Sequence, residues 1–157
     1  MKNLRTSLLY AGIAFCSLSA SAQIQTVRGK NPDFTKLILF QNLPEKTSVN
    51  INNLNVLLNT AVGKAVSINL SDKSQFQFEG QVVSASNNGE DNVQSMIIRS
   101  TNYDGARFTL SRIINADGAI SYSGRILSFH HDDLLELKKQ DGHYVLVKRK
   151  YNDLVNE

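Results

Sequence analysis

From residue 65 onward, hydrophobic and polar residues alternate along the chain with a period of two. Such alternation is typical of β-strands that bury one face and expose the other. Turn-forming dipeptides interrupt the alternation, among them Asp104-Gly105, Asp117-Gly118 and Asp141-Gly142. No helical segment lies between these strands, so parallel βαβ units are excluded. The pattern predicts a mostly β chain: an antiparallel meander of six to seven strands, arranged as a sheet, a sandwich or a small barrel.

The lengths of the loops agree with this assignment of strands. A slip of one residue would move all the apolar side chains of a strand to the wrong face, so the loops must keep the alternation in phase. The loop that follows Ile114 pairs this residue with Ile120. A two-residue turn at Asp141-Gly142 pairs Leu137 with Leu146. The predicted core residues are Phe76, Phe78, Phe108, Leu110, Tyr122, Leu135, Leu137, Tyr144 and Leu146.

Two apolar segments precede the alternating region. The run from Leu37 to Phe40 is continuously apolar, and we expect a buried strand there. Over residues 50–62 the apolar positions follow helical spacing and predict one packed helix. The opposite face of this helix is rich in asparagine, which is a poor residue for a helix interior, so the helix should be stable only when it packs against the sheet. A strand across Val49 and Ile51 is the alternative for the first part of this segment.

Residues 1–22 have the features of a secretory signal peptide in their usual order. Lys2 and Arg5 precede a short apolar stretch, and small residues follow that end in the A-x-A signature Ala20-Ser21-Ala22. We therefore expect cleavage before Gln23 and export to the periplasm or the extracellular space. The apolar stretch is shorter than the roughly 20 residues that a membrane-spanning helix needs. No transmembrane span is expected in the mature chain.

Cys16 is the only cysteine, and it lies in the segment that we expect to be removed. Lipidation of Cys16 is the alternative, but a lipoprotein signal places a small residue before the modified cysteine, and Phe15 stands there. Without Cys16 the mature chain has neither a disulfide nor a thiolate metal ligand. Residues 23–157 are then expected to fold as one domain that is stabilised by its hydrophobic core alone.

The charge of the chain gives little indication of a polyanionic partner. The formal net charge is +3 and the pI is about 9.0, but Lys2 and Arg5 leave with the signal peptide, which brings the mature chain close to neutral. We therefore expect no nucleic acid as a partner. Phosphate-binding and dinucleotide-binding glycine motifs are absent from the sequence, so no cofactor is expected. The cations of Lys148-Arg149-Lys150 are expected to protect the edge of a final strand, with contact to an acidic polysaccharide or a lipid headgroup as the alternative.

One short segment concentrates candidate metal ligands. Imidazole and carboxylate groups together can hold zinc or a similar ion. Adjacent residues of a strand point to opposite faces, so they could share one metal only where the chain turns. We favour a polar turn between two strands, with a metal site as the alternative. The candidate metal ligands are His130, His131, Asp132 and Asp133.

No catalytic motif identifies an enzyme. The G-x-S-x-G and H-E-x-x-H patterns are both absent, although a catalytic triad can also assemble from distant residues. The sequence favours an exported, non-catalytic domain that acts by binding or as a component of the cell envelope. Its partner would be a protein, a glycan or a small apolar ligand. The alternatives are a small β-barrel that carries an apolar ligand, and a small secreted hydrolase or metal site at the turn from His130 to Asp133.

Overall fold

The computed structural model of the protein describes residues 37–73, 75–88 and 92–155. The predicted signal peptide over residues 1–22, with Cys16, lies outside the described residues. In chain order the described elements are β1 (Lys46–Ser48), α1 (Ile51–Leu58), β2 (Ala65–Asn69), β3 (Gln77–Asn88), β4 (Val93–Ser100), β5 (Ala106–Ile114), β6 (Ile120–Ser128), β7 (Asp133–Gln140), β8 (His143–Lys150) and α2 (Tyr151–Val155).

The strands form one antiparallel sheet in the order β1-β8-β7-β6-β5-β4-β3-β2. From β2 to β8 each strand pairs with the next one along the chain, which confirms the predicted meander. The sheet has eight strands rather than six to seven because β1 pairs with β8. With only three residues, β1 is too short to show a period in the sequence. The chain then passes through α1 from one edge of the sheet to the other.

The sheet curls into a half-barrel, and α1 packs against it. Two glycines permit strands to approach closely within the curl. A Cβ atom at Gly80 would collide with the carbonyl oxygen of Arg99, and one at Gly124 would lie 2.7 Å from the carbonyl oxygen of Thr109. A β-bulge in β3 adds local twist. Side chains larger than hydrogen at these two positions would push neighbouring strands apart.

Main-chain contacts join the two edges of the half-barrel at one end. Val49, which follows β1, forms an isolated antiparallel bridge with Ser71, which follows β2. The N–H of Asn50 donates a hydrogen bond to the carbonyl oxygen of Leu70 at 3.1 Å. Since β1 and β2 are the two edge strands, these contacts draw the edges together and hold the curl.

Helix α1 is shorter than the predicted segment of residues 50–62. Asn50 is its N-cap, and the Oδ1 atom of this residue accepts hydrogen bonds from the N–H groups of Asn52 and Asn53. The helix ends at Leu58, and Gly63 lies beyond it in a left-handed conformation with φ +84°. The alternative strand across Val49 and Ile51 is not formed, because Ile51 begins the helix. The side chains of α1 that enter the core are Leu54, Leu57 and Leu58.

The core lies between α1 and the concave face of the sheet. The predicted inward positions are confirmed as buried, except that Tyr122 is only partly buried. An aromatic cluster surrounds Tyr103, whose ring centroid lies 5.3 Å from that of Phe40 and 5.8 Å from that of Phe76. Burial raises the pKa of the Tyr103 hydroxyl. The cluster joins residues from the loop between β4 and β5 to residues that precede β1.

The predicted buried strand from Leu37 to Phe40 is wrong. Leu37 is 77% exposed and Ile38 is 56% exposed, whereas Phe40 is 1% exposed. The N–H groups of Leu39 and Phe40 donate to the two carboxylate oxygens of Asp133 at 2.6 and 2.7 Å. A side chain thus satisfies the backbone donors that a strand ladder would have used. A continuous apolar run has no period, so the sequence could not distinguish this arrangement from a buried strand.

Candidate functional site

Helix α1 and its polar contacts fill the part of the concave face that an interior ligand would need. The Tyr122 hydroxyl donates to Oδ1 of Asn55 at 2.7 Å, and Nε2 of Gln94 donates to the carbonyl oxygen of Leu58 at 2.8 Å. These hydrogen bonds fix the helix to β6 and β4. An apolar ligand inside the half-barrel would have to displace the helix. The packing therefore favours a surface as the functional site.

The two predicted histidines lie in a turn between β6 and β7, as the sequence indicated. His130 is exposed, whereas His131 is buried and its Nδ1 atom lies 3.0 Å from Oγ of Ser128. A hydroxyl beside an imidazole has the composition of a nucleophile and its base. However, Ser128 is 1% exposed, and its Oγ atom also accepts the N–H of His130 at 3.2 Å. The hydroxyl therefore organises the turn and is hidden from a substrate.

The two predicted aspartates of this turn attach neighbouring segments of the chain. Asp133 is buried and binds the backbone of residues 39–40 through both carboxylate oxygens. The main chain of Asp132 accepts the N–H of Tyr151 at 2.6 Å and donates to the carbonyl oxygen of Leu37 at 3.3 Å. Within the described ranges no three His, Cys, Asp or Glu side chains are grouped so that they could hold a metal ion. Metal binding by His130, His131, Asp132 and Asp133 stays a prediction from the sequence.

A cleft of about 570 Å³ lies where these segments meet the end of β8. Its walls include Ile38, Asp132, Asp153 and the cationic run from Lys148 to Lys150. Residues of both charges line the cleft, and the carboxylate of Asp133 already accepts two backbone N–H groups. The cleft therefore has no strong preference for a ligand of one charge.

The convex face of the sheet differs from the cleft, because positively charged side chains are concentrated on it. Directly paired residues of adjacent strands point to the same face. One such row crosses the sheet through Arg99, Arg107, Leu127, Leu134 and Arg149. The next row crosses it through Thr109, Arg125, Glu136, Val147 and Lys46. We call the cationic side chains of this surface the cationic face; they are Lys46, Arg99, Arg107, Arg125, Lys138 and Arg149.

Arg99 and Arg107 stand directly opposite each other on β4 and β5, and both are exposed. Neither forms an ion pair with any residue that the structure describes. Like charges opposite each other on a sheet are destabilising, by up to about 1 kcal/mol for a close pair. Among the described strand residues of the convex face only Glu79 and Glu136 carry carboxylates. The surface thus has an excess of positive charge.

On the part of the cationic face formed by β6, β7 and β8, Glu136 forms a network of ion pairs with three cations. Its carboxylate lies 3.1 Å from Arg125, 3.0 Å from Lys138 and 3.6 Å from Arg149. Burial of this carboxyl acts to raise its pKa, but the hydrogen bonds and charges of Lys138 and Arg125 outweigh burial, and the pKa is lowered. The carboxylate is therefore ionised at neutral pH and holds its neighbours in place, leaving a net positive charge around it.

Hydroxyl groups lie beside these cations, in the row next to Arg125. A row of serines, Ser95, Ser111 and Ser123, crosses β4, β5 and β6 in direct register. Together with Thr109 and Arg125, the last two serines line a shallow groove of about 310 Å³. Hydroxyls can both donate and accept hydrogen bonds. The surface thus combines fixed positive charge with small neutral hydrogen-bonding groups.

The sequence did not reveal this face. Its alternation placed Arg107 and Arg125 on the exposed side of their strands, but it does not show which cations of distant strands share a row. The edge-protection hypothesis for the run at residues 148–150 assumed that β8 is an edge strand, and this position is corrected, because β1 pairs with residues 145–147 of β8. Only Arg149 of this run joins the cationic face, whereas Nζ of Lys148 donates to the carbonyl oxygen of Leu43 at 2.6 Å.

Comparisons with known proteins identify no relative. No protein-family model matches the chain, and no curated protein or solved structure matches it. Within residues 37–73, 75–88 and 92–155, neither helix is sufficiently long and apolar to cross a membrane.

Proposed function

We propose that this protein is an exported, non-catalytic domain that acts by binding an anionic partner on its cationic face. The observation that carries the proposal is the exposed pair of Arg99 and Arg107, which oppose each other without a carboxylate partner among the described residues. Such a pair costs stability in the free protein, and an anion that bridges the two guanidinium groups would relieve the repulsion. Arginine forms bidentate hydrogen bonds with carboxylate, sulfate and phosphate groups.

Export is the second part of the proposal, and it rests on the features of residues 1–22. N-terminal sequencing of the protein recovered from outside the cytoplasm should begin at Gln23. An acylated chain that begins at Cys16 would instead make the protein a lipid-anchored one. A chain that retains Met1 and stays in the cytoplasm would contradict export.

Photo-crosslinking in the exporting cells tests the binding surface. A photoreactive residue replaces Thr109 at the centre of the cationic face, and the matched control replaces Lys139, which is exposed near the tip of the β7–β8 hairpin. We expect a covalent adduct from position 109 that disappears in the double variant Arg99→Ala/Arg107→Ala. Equal adducts from both positions, or an adduct that survives the double variant, would refute the cationic face as the binding surface.

A further inference from the structure

We infer that the ligand of the cationic face is a linear acidic polysaccharide that lies across the strands, an inference that rests on the proposed function. The register defines the spacing of the charges. Adjacent strands are about 5 Å apart, so the backbones of Arg107 and Arg99 lie close together, while the backbones of Arg107 and Arg149 are about 14 Å apart along the curled sheet, with the buried Leu134 in the row between them. Arg125 lies between them in the next row. Positive charges distributed over such a distance suit a ligand with repeated negative charges better than one small anion.

The hydroxyl groups beside Arg125 suit sugar hydroxyls. Ser111, Ser123 and Thr109 line the groove beside Arg125, and hydroxyl side chains match the donors and acceptors of a sugar ring. Guanidinium groups bind the carboxylate or sulfate groups of such a chain in a bidentate manner. Glu136 holds Arg125 and Arg149 in position before a ligand arrives, which reduces the loss of side-chain entropy on binding.

The aromatic residues argue against a single-stranded nucleic acid as the ligand. Proteins that bind single strands without sequence preference stack the bases on aromatic side chains. Among the described strand residues, the Phe and Tyr side chains of β3, β5, β6 and β8 point to the concave face, as the burial of Phe78, Phe108 and Tyr144 indicates. The described strand positions of the cationic face hold no Phe or Tyr side chain.

Titration with defined polymers tests the inference on the mature protein. The probes are polygalacturonate as the acidic polysaccharide, dextran as the neutral one, vesicles of phosphatidylglycerol and an oligothymidylate. We expect polygalacturonate to bind and dextran not to bind. Each arginine removed in Arg99→Ala and Arg107→Ala should weaken polygalacturonate binding about tenfold, the factor that corresponds to about 1.4 kcal/mol.

Two control variants separate geometry from net charge. The double variant Lys64→Ala/Lys139→Ala removes the same charge from exposed positions elsewhere and should leave binding unchanged. The variant Arg99→Lys/Arg107→Lys keeps the charge but loses the planar fork of donors, and it should bind more weakly than the wild type. Melting temperatures no lower than that of the wild type would show that all the variants are folded, since these side chains are exposed.

The outcomes distinguish this inference from the proposed function. If vesicles or the oligothymidylate bind through Arg99 and Arg107 while polygalacturonate does not, the cationic face is a binding surface but the inferred ligand class is wrong. If polygalacturonate binds equally to the wild type and to Arg99→Ala/Arg107→Ala, the inference is also wrong. If none of the four probes binds through these arginines, the inference is wrong. If, in addition, no adduct forms from position 109 in the wild type, the proposed function is wrong as well.

Discussion

Removal of the Phe40 ring tests whether the segment before β1 completes the hydrophobic core. The ring is 1% exposed and contacts Tyr103 at a centroid distance of 5.3 Å. A buried Phe removes at least roughly 150 Å² from water, and at about 25 cal/mol per Å² this area corresponds to about 4 kcal/mol. Phe40→Ala also leaves a cavity, and substitutions of this kind cost about 3–5 kcal/mol. This is a large part of a total stability of about 5–15 kcal/mol.

Urea denaturation measures this loss. With a slope of about 1.5 kcal/mol per M, the midpoint of Phe40→Ala should fall by about 2–3 M. Ile38→Ala is the matched control in the same segment, because Ile38 is 56% exposed and its substitution should change the stability by less than about 0.5 kcal/mol. Equal midpoints for Phe40→Ala and Ile38→Ala would refute the assignment of this segment to the core.

A double-mutant cycle extends the test to the carboxylate that holds the segment. Asp133→Asn leaves one side-chain oxygen for two backbone N–H donors, so at least one buried donor loses its acceptor, at a cost of about 1–3 kcal/mol. The cycle uses Phe40→Leu in place of Phe40→Ala, because leucine leaves a smaller cavity than alanine and the double variant stays folded. If Asp133 holds the ring in the core, the two substitutions should be non-additive by about 1 kcal/mol. Additive losses would show that the ring is placed independently of the carboxylate.

Gly124→Ala should lower the melting temperature by several degrees, because its Cβ would lie 2.7 Å from the backbone oxygen of Thr109; an unchanged value would contradict the close approach of β5 and β6. Asn50→Ala should cost about 1 kcal/mol in urea denaturation because it removes the N-cap of α1, whereas the exposed control Asn52→Ala should not. The folded-state pKa of Glu136 is below its ordinary value of 4.5, so its ionised form contributes stability above that pH, and this contribution is lost as the pH falls through the lowered pKa. Urea midpoints of the wild type and Glu136→Gln should therefore differ most at neutral pH and converge as the pH falls below the lowered pKa; a difference independent of pH would contradict the ion-pair network.

The sequence was sufficient for the part of the fold that depends on neighbouring strands. The predicted pairings of Ile114 with Ile120 and of Leu137 with Leu146 are both observed. The turn between the last two strands shows why such predictions succeed. Asp141 and Gly142 both have positive φ angles, as a tight two-residue hairpin requires, and these residue types tolerate that conformation. Alternation and turn chemistry are local properties, so they can be recognised without knowledge of distant contacts.

The candidate site depended on contacts between residues far apart in the chain. The histidine turn was recognised as a turn, but its buried carboxylate binds the backbone of Phe40, 93 residues away. The edge position predicted for β8 was wrong because β1, which lies almost a hundred residues earlier, pairs with it. No local pattern records such a pairing.

Local alternation therefore determined which side chains of each strand face outward, and it placed Arg107 and Arg125 on the exposed side. Only the tertiary structure decided that Arg99, Arg107 and Arg149 share one row across the sheet. The physical reason is that the period of two is a property of a single strand. Whether two residues share a row depends instead on the register of every pair of strands that lies between those two residues. A loop that is longer or shorter by two residues would keep each strand's alternation and still move the cations apart.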